Sequence, residues 1–266
     1  MFTKDFCVDI INYKTVYAGL LMEGWMISYA ALSRMGNREY NEDSIRVIQN
    51  NPDYLFAVAD GLGGQGNGDI ASKKAVEALN LKEDSGEIAK CISDNFEMAQ
   101  NAVMDEKCQN IQLEKMMTTM VILQIEKDYL GWGHVGDSRL YYFENGKLVS
   151  RTLDHSVPQV MVSAKMIEES EIRHHPDRNR LLRSIGMEWE EPMYEVSEVM
   201  QRQGKQEFLL CSDGFWEYIE EYEMQRLLQH AVNSKHWLNR MERVVRKNGK
   251  GHNMDNYSAI VVWSKL

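Results

Sequence analysis

Proline is scarce in this chain, four in 266 residues, and no Pro/Ser-rich stretch or internal repeat punctuates it, so nothing divides the sequence into separate domains. Cysteine is equally scarce. Cys7, Cys91, Cys108 and Cys211 lie far apart with no C-x-x-C pair, which excludes a disulfide framework and a cysteine zinc site and fits a reducing cytosol. Basic residues are in deficit. Thirty Lys and Arg against forty Asp and Glu give a formal net charge of −10, unsuited to nucleic acid or an anionic membrane surface and suited to gathering cations. The longest apolar run, VYAGLLMEGWMISYAAL at 16–32, is interrupted by Glu23 and Gly24 and is too short to span a bilayer comfortably. It also lacks the basic start and small-residue cleavage site of a signal peptide.

What is present is 44% hydrophobic, enough to bury a sizeable core. Runs of β type recur at 27–33, 54–60, 118–125, 129–135, 139–145, 207–213 and 257–263. Between them, 68–80 places Ile70, Ala71, Ala75, Ala78 and Leu79 on one helical face, and 85–103 does the same with Ile88, Ile92, Phe96, Ala99 and Val103. The segments EYEMQRLLQHAVN and HWLNRMERVVRKNG read as a second helix pair, stopped by Asn248-Gly249. Asn145-Gly146 in YFENGKLV is a hairpin signal. Strands grouped around helix pairs, rather than alternating with helices one for one, predict an antiparallel α+β sandwich in place of a doubly wound parallel sheet.

The chemistry concentrates at the ends of these runs. LFAVADGLGGQGNGD (55–69) spaces Gly61, Gly63 and Gly66 as G-x-G-x-x-G, a weak nucleotide signal. Asp60 at the strand end would repel a pyrophosphate, and no Lys-Ser or Lys-Thr follows Gly66, so a P-loop is excluded. Four apolar runs meet an aspartate: Asp60, Asp137 and Asp213 at or near their ends, and Asp255 at a start. Glu42 and Asp43 precede a further β-type run. Each aspartate taken alone reads as a turn or cap residue. Gathered by a sheet, the same residues form a like-charge cluster that divalent cations would offset. Oxygen ligands alone select magnesium or manganese, and glycines at 61, 63 and 64 would let a backbone carbonyl approach the ion.

Eight ordered motifs carry a resemblance: RMGNREYNEDS (34–44), VADGLGG (58–64), TT (118–119), GHVGDSRLY (133–141), LDHS (153–156), RHHPDRNRLLRSIG (173–186), LLCSDGFWE (209–217) and DNYSAIVV (255–262). Over about 28 to about 263 the chain resembles the metal-dependent serine/threonine protein phosphatases of the PPM, or type 2C, class, in the branch common in bacteria. The resemblance implies a four-layer α-β-β-α sandwich of two antiparallel sheets flanked by helix pairs. It makes 28–266 a single catalytic domain with a flap at about 156–180, preceded by an extension over 1–27 without a reading of its own. It implies two Mn2+ or Mg2+ ions, or three, with Asp60 bridging two of them and the Gly61 carbonyl on one. Asp213 and Asp255 fall on the other ion, Glu42 and Asp43 on the ions or their waters, and Asp137 with Asp213 on the third. Asp43, Asp60 and Asp213 are thereby the catalytic set, Arg38 grips the substrate phosphate, and Glu217 stands where some relatives have a further aspartate. A hydroxide bridging ions about 3.5–4 Å apart would attack phosphorus in line with the seryl or threonyl oxygen. Leu62 stands where some eukaryotic relatives have a histidine proposed as general acid, so the leaving-group proton would come from elsewhere.

The implied partners are phosphorylated proteins and a cognate serine/threonine kinase, with no nucleic acid and no membrane, the chain acting as a cytoplasmic monomer. His155, His174 and His175 lack ligand-spaced partners and read as structural or flap residues. Ser138 and Ser212 lack a nucleophile elbow, and NYS at 256–258 is read as a chance glycosylation match. Two other readings stay open, a catalytically silent relative that binds phosphoproteins and a nucleotide-dependent enzyme built on the glycine loop.

Overall fold

The computed structural model describes residues 18–22 and 25 as backbone, and 26–62, 67–81 and 87–265. Cys7, Glu23, Gly24, Gly63, Gly64 and Gly66 lie outside the described residues.

The strands are β1 (Ala18–Met22), β2 (Trp25–Arg34), β3 (Asp43–Asn50), β4 (Asp53–Asp60), β5 (Met120–Ile125), β6 (Tyr129–Val135), β7 (Arg139–Glu144), β8 (Lys147–Arg151), β9 (Glu195–Val196), β10 (Met200–Gln201), β11 (Lys205–Cys211) and β12 (Tyr257–Lys265). One sheet runs β1-β2-β12-β11-β7-β8, and the other runs β10-β6-β5-β4-β3 with β9 also on β6. Pairing along both is antiparallel. The helices are α1 (Gly68–Glu77), α2 (Ile88–Gln109), α3 (Val157–Ser163), α4 (Asp213–Trp216), α5 (Glu221–Gln229) and α6 (Ser234–Asn248).

Strict alternation along the central strands builds the layers, because successive side chains of a strand point to opposite faces. Phe208 and Leu210 of β11 and Ile260 and Val262 of β12 share the middle layer with Phe56 and Val58 of β4 and Val121 and Leu123 of β5. The residues between them turn outward. Leu209, Cys211, Ala259 and Val261 meet Trp216, Leu227, Trp237 and Met241 on α4 to α6. On the other sheet, Leu55, Ala57, Met120 and Ile122 meet Ala71, Ala75, Ile92 and Phe96 on α1 and α2. The result is the four-layer α-β-β-α sandwich, with both sheets antiparallel as expected.

Local chemistry sets the details. Asn145 and Gly146 take φ of 51° and 74°, two left-handed residues that turn β7 tightly into β8. α2 runs six residues beyond the apolar pattern that ended at Val103, because its last turns are held by polar contacts: Glu106 pairs with Lys74 at 2.7 Å and the Lys107 ammonium donates to the Gly186 carbonyl at 2.5 Å. α6 stops at Asn248, but Gly249 keeps a right-handed φ of −74°. A Cβ there would sit 2.1 Å from the Met254 sulfur, so that flexible side chain would have to shift.

Phe56 is fully buried between the sheets, edge-on to Tyr29 at 5.3 Å and stacked on Tyr54 at 5.8 Å. Phe56→Ala is expected to cost about 3–5 kcal/mol, read as a lowered urea midpoint.

Candidate metal centre and active site

The strand ends converge at one end of the sandwich. Asp43 opens β3 and Asp60 closes β4, and the two are directly opposite in the ladder. Asp137 lies in the β6–β7 connection, Asp213 follows β11 as the first residue of α4, and Asp255 precedes β12. Arg38, Glu42, Asp60, Gly61, Asp137, Asp213 and Asp255 line one cleft of about 840 Å³, together with Leu62. Asp43 is fully buried, with Ser212 donating to its Oδ2 at 2.7 Å. Every residue expected at the site is therefore in this region. Glu217 is set back, paired with Arg178 at 3.0 Å.

Close approach of backbone makes the cluster geometrically attainable. A Cβ on Gly61 would lie 2.1 Å from the Gly68 carbonyl oxygen and 2.7 Å from that of Glu42, and one on Gly214 would lie 2.1 Å from the Asn256 carbonyl oxygen. The glycines after Asp60 and Asp213 thus admit a neighbouring backbone segment that a side chain would exclude.

Burial and mutual repulsion dominate the electrostatics. Burial first, then Asp43, Asp213, Asp137 and Asp255, pushes the Asp60 carboxyl well above the usual range. Asp137 is pushed well above it by burial and then by Asp213. Burial also raises Asp43, to about 7, and Asp213, to about 6 with help from Asp255. Glu42 is raised by burial and by Asp69. Asp43 Oδ1 is buried with no hydrogen-bond partner. An all-oxygen donor set, repelling carboxyls and an orphaned buried oxygen fit a hard divalent cation, which supplies the missing counter-charge.

A ring of hydrogen bonds holds these residues in place, and most of it escaped the sequence reading. Thr118 Oγ1 and the Thr119 amide donate to the Asp60 carbonyl, at 2.8 and 2.9 Å, and the Asp60 amide donates to Thr119 Oγ1 at 3.1 Å. The Thr119 and Ser138 hydroxyls are 2.7 Å apart, linking the two loops. The run expected from 118 becomes a continuous strand only at Met120, Thr118 forming isolated bridges to Gly61 and Ile185 instead. Asn256 is the largest omission. Its Nδ2 donates to the carbonyls of Met35 and Tyr40, both at 2.8 Å, and its Oδ1 accepts the Glu42 amide at 2.8 Å. It fastens the 35–42 loop, with Arg38 and Glu42, beside Asp255. Its position between Asp255 and an apolar run was the available signal; its burial removes any glycosylation reading.

The Asp137 loop has a fastener of its own. His155 donates its amide to the Gly136 carbonyl at 2.9 Å, and its Nδ1 accepts the Gly136 amide at 3.2 Å. Its ring stacks on His134 at 4.6 Å, and its Nε2 faces Glu195 at 3.3 Å. These three side chains are close enough for a metal, but the Gly136 amide occupies the Nδ1 lone pair, leaving the proton on Nε2. Burial, then His134, lowers the His155 pKa to about 4. The pair is a neutral structural fastener. From the other side, Trp216 Nε1 donates to the Asp137 carbonyl at 3.0 Å, while the Arg139 guanidinium lies 3.6 Å from the Trp216 ring centroid and chelates Asp154 at 2.7 and 2.6 Å. Arg38, exposed at the rim, donates to Asp255 Oδ2 at 2.7 Å.

A sequence model of the protein phosphatase 2C family matches residues 32–257. The chain belongs to that family, on the side of its bacterial serine/threonine phosphatases. It is similar to the serine/threonine protein phosphatase PstP of Mycobacterium tuberculosis, with 29% identity over 242 residues, 89% of this chain and 45% of PstP. It is similar to the serine/threonine phosphatase stp of Listeria welshimeri, with 32% identity over 201 residues, 72% of this chain and 79% of that protein. The chain thus spans less than half the length of PstP. A crystal structure of the catalytic domain of PstP in complex with two manganese ions superposes with a TM-score of 0.78 at 25% identity, covering 91% of this chain and all of that one.

Folding raises the pKa of Asp43, Asp60, Asp137 and Asp213 above their unfolded values, so the metal-free fold favours their protonated forms. That contribution is fully present below about pH 4 and is lost as pH rises through the folded values, about 7 at Asp43 and about 6 at Asp213. In chelator, the melting temperature should fall as pH rises from about 5 to about 7.5, and manganese at neutral pH should restore it. A flat profile in chelator would contradict this electrostatic account.

Proposed function

We propose that this chain hydrolyses phosphoserine and phosphothreonine monoesters in proteins, in opposition to a serine/threonine kinase. The observation that carries the proposal is an exposed guanidinium, Arg38, set above buried and half-buried carboxylates at the joined ends of two sheets. In this reading Asp60, the Gly61 carbonyl, Asp213 and Asp255 would hold two Mn2+ or Mg2+ ions, with Glu42 and Asp43 holding them or orienting their waters, and Asp137 with Asp213 would hold a third. When bound, the ions would supply a water of lowered pKa and positive charge against the phosphoryl oxygens.

The chain's own residues do the remaining work. Arg38 offers a planar fork of donors to two phosphoryl oxygens and so fixes the phosphorus over the carboxylates. Asp43, with Oδ2 held by Ser212 and Oδ1 free, is aimed by a buried partner rather than by solvent. Leu62 lines the cleft and has no proton to give, so the leaving alkoxide is protonated by another group. The segment from α3 to Arg180 serves as a flap. Arg178, tied to Glu217, anchors it, and Asn179 and Arg180 present it to the cleft. The protein acts as a cytoplasmic monomer in this reading; among the described residues no helix is long and apolar enough to cross a membrane.

With a phosphothreonine peptide, turnover should require added manganese or magnesium. Asp213→Asn should lower kcat by on the order of 100-fold or more, and Arg38→Ala should act mainly by raising KM. Metal-independent turnover surviving Asp213→Asn would refute the proposal. Peptide binding without turnover at saturating manganese would favour a silent phosphoprotein-binding relative, and a melting temperature raised by a dinucleotide but not by manganese would favour a nucleotide enzyme.

A further inference from the structure

The chain is acidic overall, yet an exposed cationic surface adjoins the cleft. Residues 240–252 hold five Lys and Arg and a single acid, Glu242, which is itself paired with Arg34 at 3.0 Å. Arg243, Arg246, Lys247 and Lys250 are exposed, and among the described residues none of the four makes an ion pair. All four line one shallow groove of about 780 Å³ whose other wall includes Asn37 and Met254.

Arg246 and Lys247 lie in the last turn of α6, where the helix dipole favours cations. That explains neither Arg243, a turn earlier, nor Lys250, beyond the helix end. The groove and the candidate active site are lined by consecutive residues, Asn37 and Met254 in the groove and Arg38 and Asp255 in the cleft. The Asn37 amide donates to the Met254 carbonyl at 3.0 Å, the Met254 amide donates to Asn37 Oδ1 at 3.3 Å, and the next residues along, Arg38 and Asp255, form the ion pair at the cleft rim. A chain whose phosphorylated residue sits at Arg38 therefore has the groove beside it.

We infer that this groove is a docking site for an acidic segment of the phosphoprotein substrate, flanking the phosphorylated residue. The inference rests on the phosphatase reading and adds a substrate class to it. Four unpaired cations facing solvent attract an acidic chain over a Debye length and hold it by charge without a fixed register, so selection should appear in KM and fade with salt. A substrate with a neutral flank gains nothing from the groove.

The test compares two phosphothreonine peptides that differ only in carrying glutamates or glutamines on both flanks, with p-nitrophenyl phosphate as a substrate that has no flank. With manganese present, the wild-type protein should favour the acidic peptide by about tenfold in kcat/KM, mostly through KM, and lose the preference in high salt. The Arg243→Gln/Arg246→Gln/Lys247→Gln protein should turn over p-nitrophenyl phosphate and the neutral peptide at wild-type rates while losing most of that preference. Lys250→Glu, an exposed single change outside the helix, should reduce it in the same direction and guards against a folding defect in the triple variant. No acidic preference in the wild type, or an undiminished one in both variants, overturns the inference. Loss of turnover with all three substrates would instead refute the phosphatase reading. Anisotropy of a labelled acidic peptide, weakened in the variants or not, then decides the docking site separately.

Discussion

Repulsion among carboxylates buried at one end of the sandwich is the constraint around which the rest of this molecule is arranged. Asp43 and Asp60 face each other across a ladder, where like charges are destabilising, and Asp213, Asp255 and Asp137 add to the same field. No flexible loop would hold such a set together. Rigid strand ends do, because β3, β4, β11 and β12 are locked by apolar layers on both of their faces. The core gives no sign of chemistry itself; its contribution is to make the alternatives to repulsion more expensive than the repulsion.

Around the carboxylates lies a set of neutral or internally compensated groups that tie down each loop. The Thr118-Thr119 pair holds Asp60, and Ser138 is joined to it. His155 holds Gly136, and Trp216 holds the Asp137 carbonyl over a guanidinium already neutralised by Asp154. Asn256 holds the loop of Arg38 and Glu42. None of these groups brings another uncompensated charge to the cluster.

Much of this was legible in the sequence, for identifiable reasons. Apolar runs that stop at an aspartate announced both the strands and the cluster. The hairpin at Asn145-Gly146 was readable because the left-handed turn restricts residue choice so strongly. What escaped was non-local or unpatterned. Asn256 makes its side-chain bonds to residues more than two hundred positions away. Two-residue strands such as β9 and β10 have no periodicity to detect, so the Glu195 contact with His155 was invisible, and His134 was hidden within an apolar run. The G-x-G-x-x-G spacing pointed to a nucleotide, whereas Gly61 serves to let the Gly68 and Glu42 backbones pass.

The bond between Arg38 and Asp255 ties together two sites that are usually discussed apart. Under the proposed function, one partner belongs to the substrate phosphate and the other to a cation, yet with neither ligand present each is satisfied by the other. Phosphate drawing Arg38 away leaves Asp255 an unneutralised carboxylate that a cation then binds more tightly, and a cation on Asp255 frees the guanidinium for phosphate. Thermodynamic linkage makes the two effects equal in size. Under that function a surface ion pair that contributes little to stability would act as a coupling device, through which cation concentration would set the affinity for phosphorylated ligands as well as the reactivity of the site.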